Sequence, residues 1–180
     1  MAYIKASVIF LFLIHLLGTD SHSQNLNAEP NSPSKITSDS TEIIIRKIRK
    51  EFNRINSDTS KMKVVKEDIS GQTTEGGAIT KFYESNILKK ARLVFYGETG
   101  KSITEYYFLN GQLFFCFEQN DQYNKPMYER TSKVDKKEEN RFYFHKQKLI
   151  RWITGKGKIA DKSLYNAKEK EILDDIKDIH

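Results

Sequence analysis

A lone cysteine, Cys116, stands in a chain of 180 residues. It can form no internal disulfide, so packing rather than cross-linking must carry the stability. Histidine is scarce as well, with four residues. His145 and His180 lie far apart, and no His or Cys pair shows the spacing of metal ligands. Asp174, Asp175 and Asp178 cluster near the end of the chain, where a solvated acidic helix face is the ordinary explanation. These absences point to no cofactor and no metal. Past the first two dozen residues no apolar run approaches membrane length, so no transmembrane span is expected in the rest of the chain.

The one long apolar run is at the start. Lys5 precedes Val8–Leu17, ten residues broken by Gly18, and Ser21 and Ser23 put small residues at the −3 and −1 positions of a cleavage before Gln24. A helix of that length spans about 15 Å, half of the roughly 30 Å of bilayer hydrocarbon. The pattern reads as a signal peptide over 1–23, removed on export to the periplasm or beyond. Residues 24–39, rich in Asn, Ser, Pro and Glu, cannot bury enough surface to offset their ordering entropy and read as a disordered linker. Residues 40–180 have the size and composition of one domain.

The net charge is +6. Between Asp121 and Ala160 eleven Lys and Arg face five acids, an excess that matches the whole chain's. A basic stretch can recruit an anionic partner or serve only as a solvated face. Lys146, Lys148, Lys156 and Lys158 flank a turn and follow a strand in this stretch. They are the candidate contacts for an anionic envelope component: a glycan, a lipid headgroup or an acidic protein.

Ile44, Ile45, Ile48, Phe52 and Ile55 recur at helical spacing and predict a helix over about 40–57, with Asp39 and Glu42 resembling a capping box. Strand-like alternation follows over 62–68, 78–83, 88–96, 102–108 and 112–118. Asn110-Gly111 between the last two is the strongest short hairpin signal, since a type I′ turn needs positive φ at both central residues. A two-residue turn pairs Phe108 with Leu113, and continued alternation pairs Tyr106 with Phe115 and Thr104 with Phe117. Those six would share a core face, with Glu105, Tyr107, Phe114 and Cys116 behind. The segment 105–117 aligns without gaps on 141–153, predicting a second hairpin that turns near Lys146-Gln147. Between the two lies a charged connection over 119–140, in which Tyr128 could start a short strand. Tyr165, Ile172, Ile176 and Ile179, helped by Leu164 and Leu173, predict a last helix over about 161–179. The fold class is therefore α+β: an antiparallel β-meander with self-similar hairpins, flanked by an N-terminal and a C-terminal helix.

Several motifs look catalytic and are better explained otherwise. Gly97-Glu-Thr-Gly100-Lys101-Ser102 mimics the end of a phosphate-binding loop, but Phe95 stands where the first glycine is required, and a strand-like segment follows in place of a helix N-terminus. A nucleotide is excluded as a partner on this ground. Cys116 lies among Phe114, Phe115 and Phe117, an apolar setting that raises a thiol pKa, so a Cys116–His145 hydrolase pair is disfavoured. The aromatic hairpins beside cations would suit single-stranded nucleic acid, but the alternation sends most rings to the core. The run Tyr107-Phe-Leu-Asn-Gly-Gln-Leu113, with a poorer echo at Phe82-Tyr-Glu-Ser-Asn86, resembles the hairpin units of bacterial MORN-variant repeat proteins over about a third of the mature chain. It lacks most of their glycines and their even spacing. The resemblance implies hairpins that serve as interaction surfaces and assigns no catalytic residue. The expected function is an exported, non-catalytic binding or interaction module of the bacterial cell envelope. The alternative is an envelope hydrolase built from ordinary Glu, Asp, Tyr or His residues.

Overall fold

The computed structural model describes residues 38–71, 73 and 75–179. The leader and nearly all of the linker lie outside the described residues. Helix α1 (Ser38–Asp58) is followed by strands β1 (Lys63–Ile69), β2 (Gly77–Glu84), β3 (Ile87–Gly97), β4 (Gly100–Leu109), β5 (Gln112–Tyr123), β6 (Val134–His145) and β7 (Lys148–Ile153), then helix α2 (Tyr165–Asp175) between short 3₁₀ turns. The strands form one antiparallel sheet in simple sequence order. The α+β meander with a helix at each end is thus the observed architecture.

Three of the hairpins are copies of one another. Their two-residue turns, Ser85-Asn86, Asn110-Gly111 and Lys146-Gln147, have positive φ at both positions, as the twist of the flanking strands requires. In each, the pairing then skips one residue of the returning strand: Lys89, Phe114 and Ile150. Such a bulge sets two residues against one and leaves the extra residue outside the ladder.

The bulge corrects the expected facing. Phe108 does pair with Leu113, but Tyr106 pairs with Cys116, Tyr107 with Phe115 and Thr104 with Glu118. Phe114 and Phe115 consequently lie on the same side, in the core beneath α1. Tyr106, Phe108, Leu113 and Cys116 lie in the other core, which also takes Tyr165 and Ile172 of α2. Period-two alternation fails across a bulge because one extra residue exchanges the faces of everything beyond it.

The bulges also explain how α1 is held. It crosses the sheet from one edge towards the other. Glu42 meets Arg151 of β7 at 2.6 Å, Arg49 lies over the Tyr143 ring of β6, and Phe52 packs on Phe115 and Tyr107 of β5 and β4. Near its end Asn56 accepts a hydrogen bond from Lys90 of β3. The predicted stripe behaves as expected, with Ile45, Ile48 and Ile55 buried. Asp39 is in the first turn of the helix rather than before it.

Helix α2 closes the β7 edge on the opposite face. The Leu149 N–H donates to Glu169 Oε2 at 2.7 Å, and the Trp152 N–H donates to the Tyr165 hydroxyl at 3.0 Å. Ile172 and Ile179 are buried, but Leu164 points outward and is half exposed. Two expectations change in the middle of the chain. Strands β5 and β6 continue through the charged stretch, so the connection shortens to 124–133, and Tyr128 lies in a turn and starts no strand. Charged residues make good strands here because they pair along the strand, as Lys137 and Arg141 do with Glu139, and across the ladder, as Lys101 of β4 does with Asp121 of β5.

Candidate functional site

Ionisable side chains gather in two places beneath the helices. Under α1, Glu105 of β4 accepts from the Tyr107 hydroxyl at 2.6 Å and sits 3.0 Å from Lys90 and 3.3 Å from Arg92. Asn56 of α1 accepts from Lys90, and its Oδ1 lies 3.2 Å from the Tyr107 hydroxyl oxygen. Burial pushes the Lys90 ammonium pKa down, against the pull of Glu105, and pushes the Tyr107 phenol far up. Tyr107 has no exposed surface. A neutral, inaccessible phenol and an ion-paired lysine offer no nucleophile to a substrate; the cluster ties α1 to β3 and β4.

Under α2, Lys168 pairs with Glu118 of β5 at 2.8 Å and with Glu171 at 2.9 Å. The Tyr106 hydroxyl donates to Asp175 at 3.3 Å. Burial raises the Glu118 carboxyl, and it raises Asp175 from 3.8 to about 6, helped by the charge on Glu171. Cys116 lies in the same core with no exposed surface, and burial drives its thiol well above the ordinary value. His145 stands three residues along β6 from Phe142, the partner of Cys116, or about 10 Å along the strand. The structure therefore does not join Cys116 and His145. Among the described residues no group of three or more His, Cys, Asp or Glu could hold a metal ion.

The four candidate lysines are exposed, and they divide into two pairs. Lys146 is in the third turn and Lys148 starts β7, where it meets Glu169 at 2.9 Å. Lys156 and Lys158 lie beyond the far end of β7, a strand about 20 Å long. The glycine motif at 97–102 is the tight β3–β4 turn, with strand on both sides.

What remains open is the end of the sheet that carries the turns. A groove of about 330 Å³ runs between α1 and the second and third turns. Ile44 and Ile48 line one wall, and Leu109, Phe114 and Phe144 line the other. Leu109 keeps 42 % of its surface exposed. Lys47, His145 and Lys146 stand at the rim. A wider depression, about 600 Å³, lies under the β1–β2 connection between Asp68 and Tyr96.

No protein-family model, curated protein or solved structure matches this chain. The site must accordingly be read from its own chemistry. Sequence reasoning had named Lys146 but none of the groove's apolar residues as surface. Leu109 flanking the Asn-Gly turn was the available signal, because a residue beside a two-residue turn lies at the end of the sheet.

Proposed function

We propose that this chain is an exported, non-catalytic binding module of the bacterial cell envelope, and that it meets its partner with the end of the sheet that carries the hairpin turns. One observation carries the reading: the two clusters of ionisable groups beneath the helices are spent on fastening those helices to the sheet, while uncovered apolar side chains and unpaired lysines collect beside the turns. The three matching turn-and-bulge hairpins support the reading of the hairpins as repeated interaction units. Export is supported by the leader pattern over 1–23. No helix among the described residues is long and apolar enough to cross a membrane.

Cell fractionation with N-terminal sequencing tests export: a chain beginning at Gln24 outside the cytosol is expected, and an intact Met1 in the cytosol contradicts it. Cross-linked pull-down from envelope extract tests the binding role, with a panel of glycan, peptide and ester substrates run beside it. A specific partner without turnover is expected. Turnover that survives further purification rejects the module in favour of an envelope hydrolase.

A further inference from the structure

We propose that the groove between α1 and the second and third hairpin turns is a docking site for an acidic, apolar peptide segment of a partner protein. The proposal rests on the binding-module reading and gives it a place and a ligand chemistry. The groove combines apolar walls with a cationic rim. Its walls are apolar, with Ile44 and Ile48 on the helix side and Leu109 and Phe114 on the hairpin side. Exposed Leu109 marks where an incoming apolar side chain would remove surface from water.

Its rim is cationic without compensation. Lys47 on α1 and Lys146 in the third turn are exposed and have no partner among the described residues. Three other cations nearby are taken: Arg54 by Glu51 and Glu84, Lys148 by Glu169 and Arg151 by Glu42. Glu51, the carboxylate in the groove lining, is the one held by Arg54, so it does not neutralise Lys47. An apolar floor under two unpaired ammonium groups complements a ligand that carries an apolar side chain next to a carboxylate.

The remaining lining separates a peptide from a small lipid. Asn110 and Gln112 place exposed side-chain amides at the mouth, where each can both donate and accept. A peptide backbone uses both capacities, whereas a fatty acid has no donor along its chain.

The test is selection from a phage-displayed library of random 12-residue peptides on the purified protein, followed by binding of the recovered sequences as fluorescein-labelled peptides. Enriched peptides should combine Leu, Ile, Phe or Trp with Asp or Glu. Their binding should weaken with salt, since exposed charges are screened over about 8 Å at physiological ionic strength. It should fall at least tenfold in the double variant Lys47→Glu/Lys146→Glu and, separately, in Leu109→Glu. All three positions are exposed, and circular dichroism melts should show the variants folded. Peptides that bind these variants as well as the wild type overturn the groove while leaving the module reading in place. Enrichment without acidic residues, or displacement of bound peptide by decanoate with the same variant dependence, overturns the ligand chemistry. No enrichment, together with no partner in the envelope pull-down, overturns both readings.

Discussion

Replacing Asp175 with Asn should stabilise the protein at neutral pH and remove part of its stability loss on the alkaline side of pH 4. Asp175 sits between α2 and the sheet, receives the Tyr106 hydroxyl, and faces Glu171, Glu118, Lys168 and the Cys116 thiol. Burial, then the charge of Glu171, lifts its carboxyl from 3.8 to about 6; Glu118 adds to the rise, and Tyr106 and Lys168 oppose it. Between those two values the folded protein holds a proton that the unfolded chain has released. Folding then takes up protons, so stability falls as pH rises through the window. The displacement is worth at most about 3 kcal/mol, and because the carboxyl is only partly enclosed about 1–2 kcal/mol is expected. Asparagine keeps an oxygen acceptor for Tyr106 and carries no charge to desolvate. Urea unfolding at a series of pH values from 4 to 8 measures the effect, as the difference between variant and wild type. That difference is the informative quantity because carboxylates held low by ion pairs, such as Glu84 and Glu139, bend the wild-type curve the other way at lower pH. The difference should be small near pH 4, grow up to about pH 6 and then level off. A difference that does not vary with pH, or a variant less stable at pH 7, would refute the assignment of an ionised, crowded carboxylate under α2.

Phe108 has no exposed surface, and Phe108→Ala should cost about 3–5 kcal/mol, read as a lower denaturation midpoint. An unchanged midpoint would contradict its place in the α2 core. Cys116, enclosed and with its thiol raised by burial, should resist Ellman's reagent in the native protein and react fully in guanidinium. Rapid native labelling would show that the sheet–α2 interface opens.

The two helices, the meander and the Asn110-Gly111 hairpin are legible in the sequence because each is a local matter. A stripe at 3.6-residue spacing has one way to hide, and Asn-Gly accepts positive φ at low cost. The first and third turns show the limit of that logic. Ser85-Asn86 and Lys146-Gln147 adopt the same backbone with poorer turn residues, held there by the strands they join. The first of them was visible only as an echo of the other two hairpins. Residues of β5 and β6 read as a loop because they are charged, yet Lys137 and Arg141 pair with Glu139 along β6, and Lys101 of β4 meets Asp121 of β5 across the ladder.

The sequence by itself determined the class of fold, the order of its elements and the burial of Ile45, Ile48, Phe108 and Leu113. Only the tertiary structure decided which face each aromatic serves. The bulges at Lys89, Phe114 and Ile150 are set by pairing with a neighbouring strand and leave no mark on the period of the chain carrying them. The groove has the same origin. Ile44 and Leu109 are 65 positions apart in the sequence, and they face each other only because α1 crosses the bulged strands near their turns. The lysines show the converse, since Lys148 and Lys156 are close in sequence and the length of β7 holds them at opposite ends of a strand.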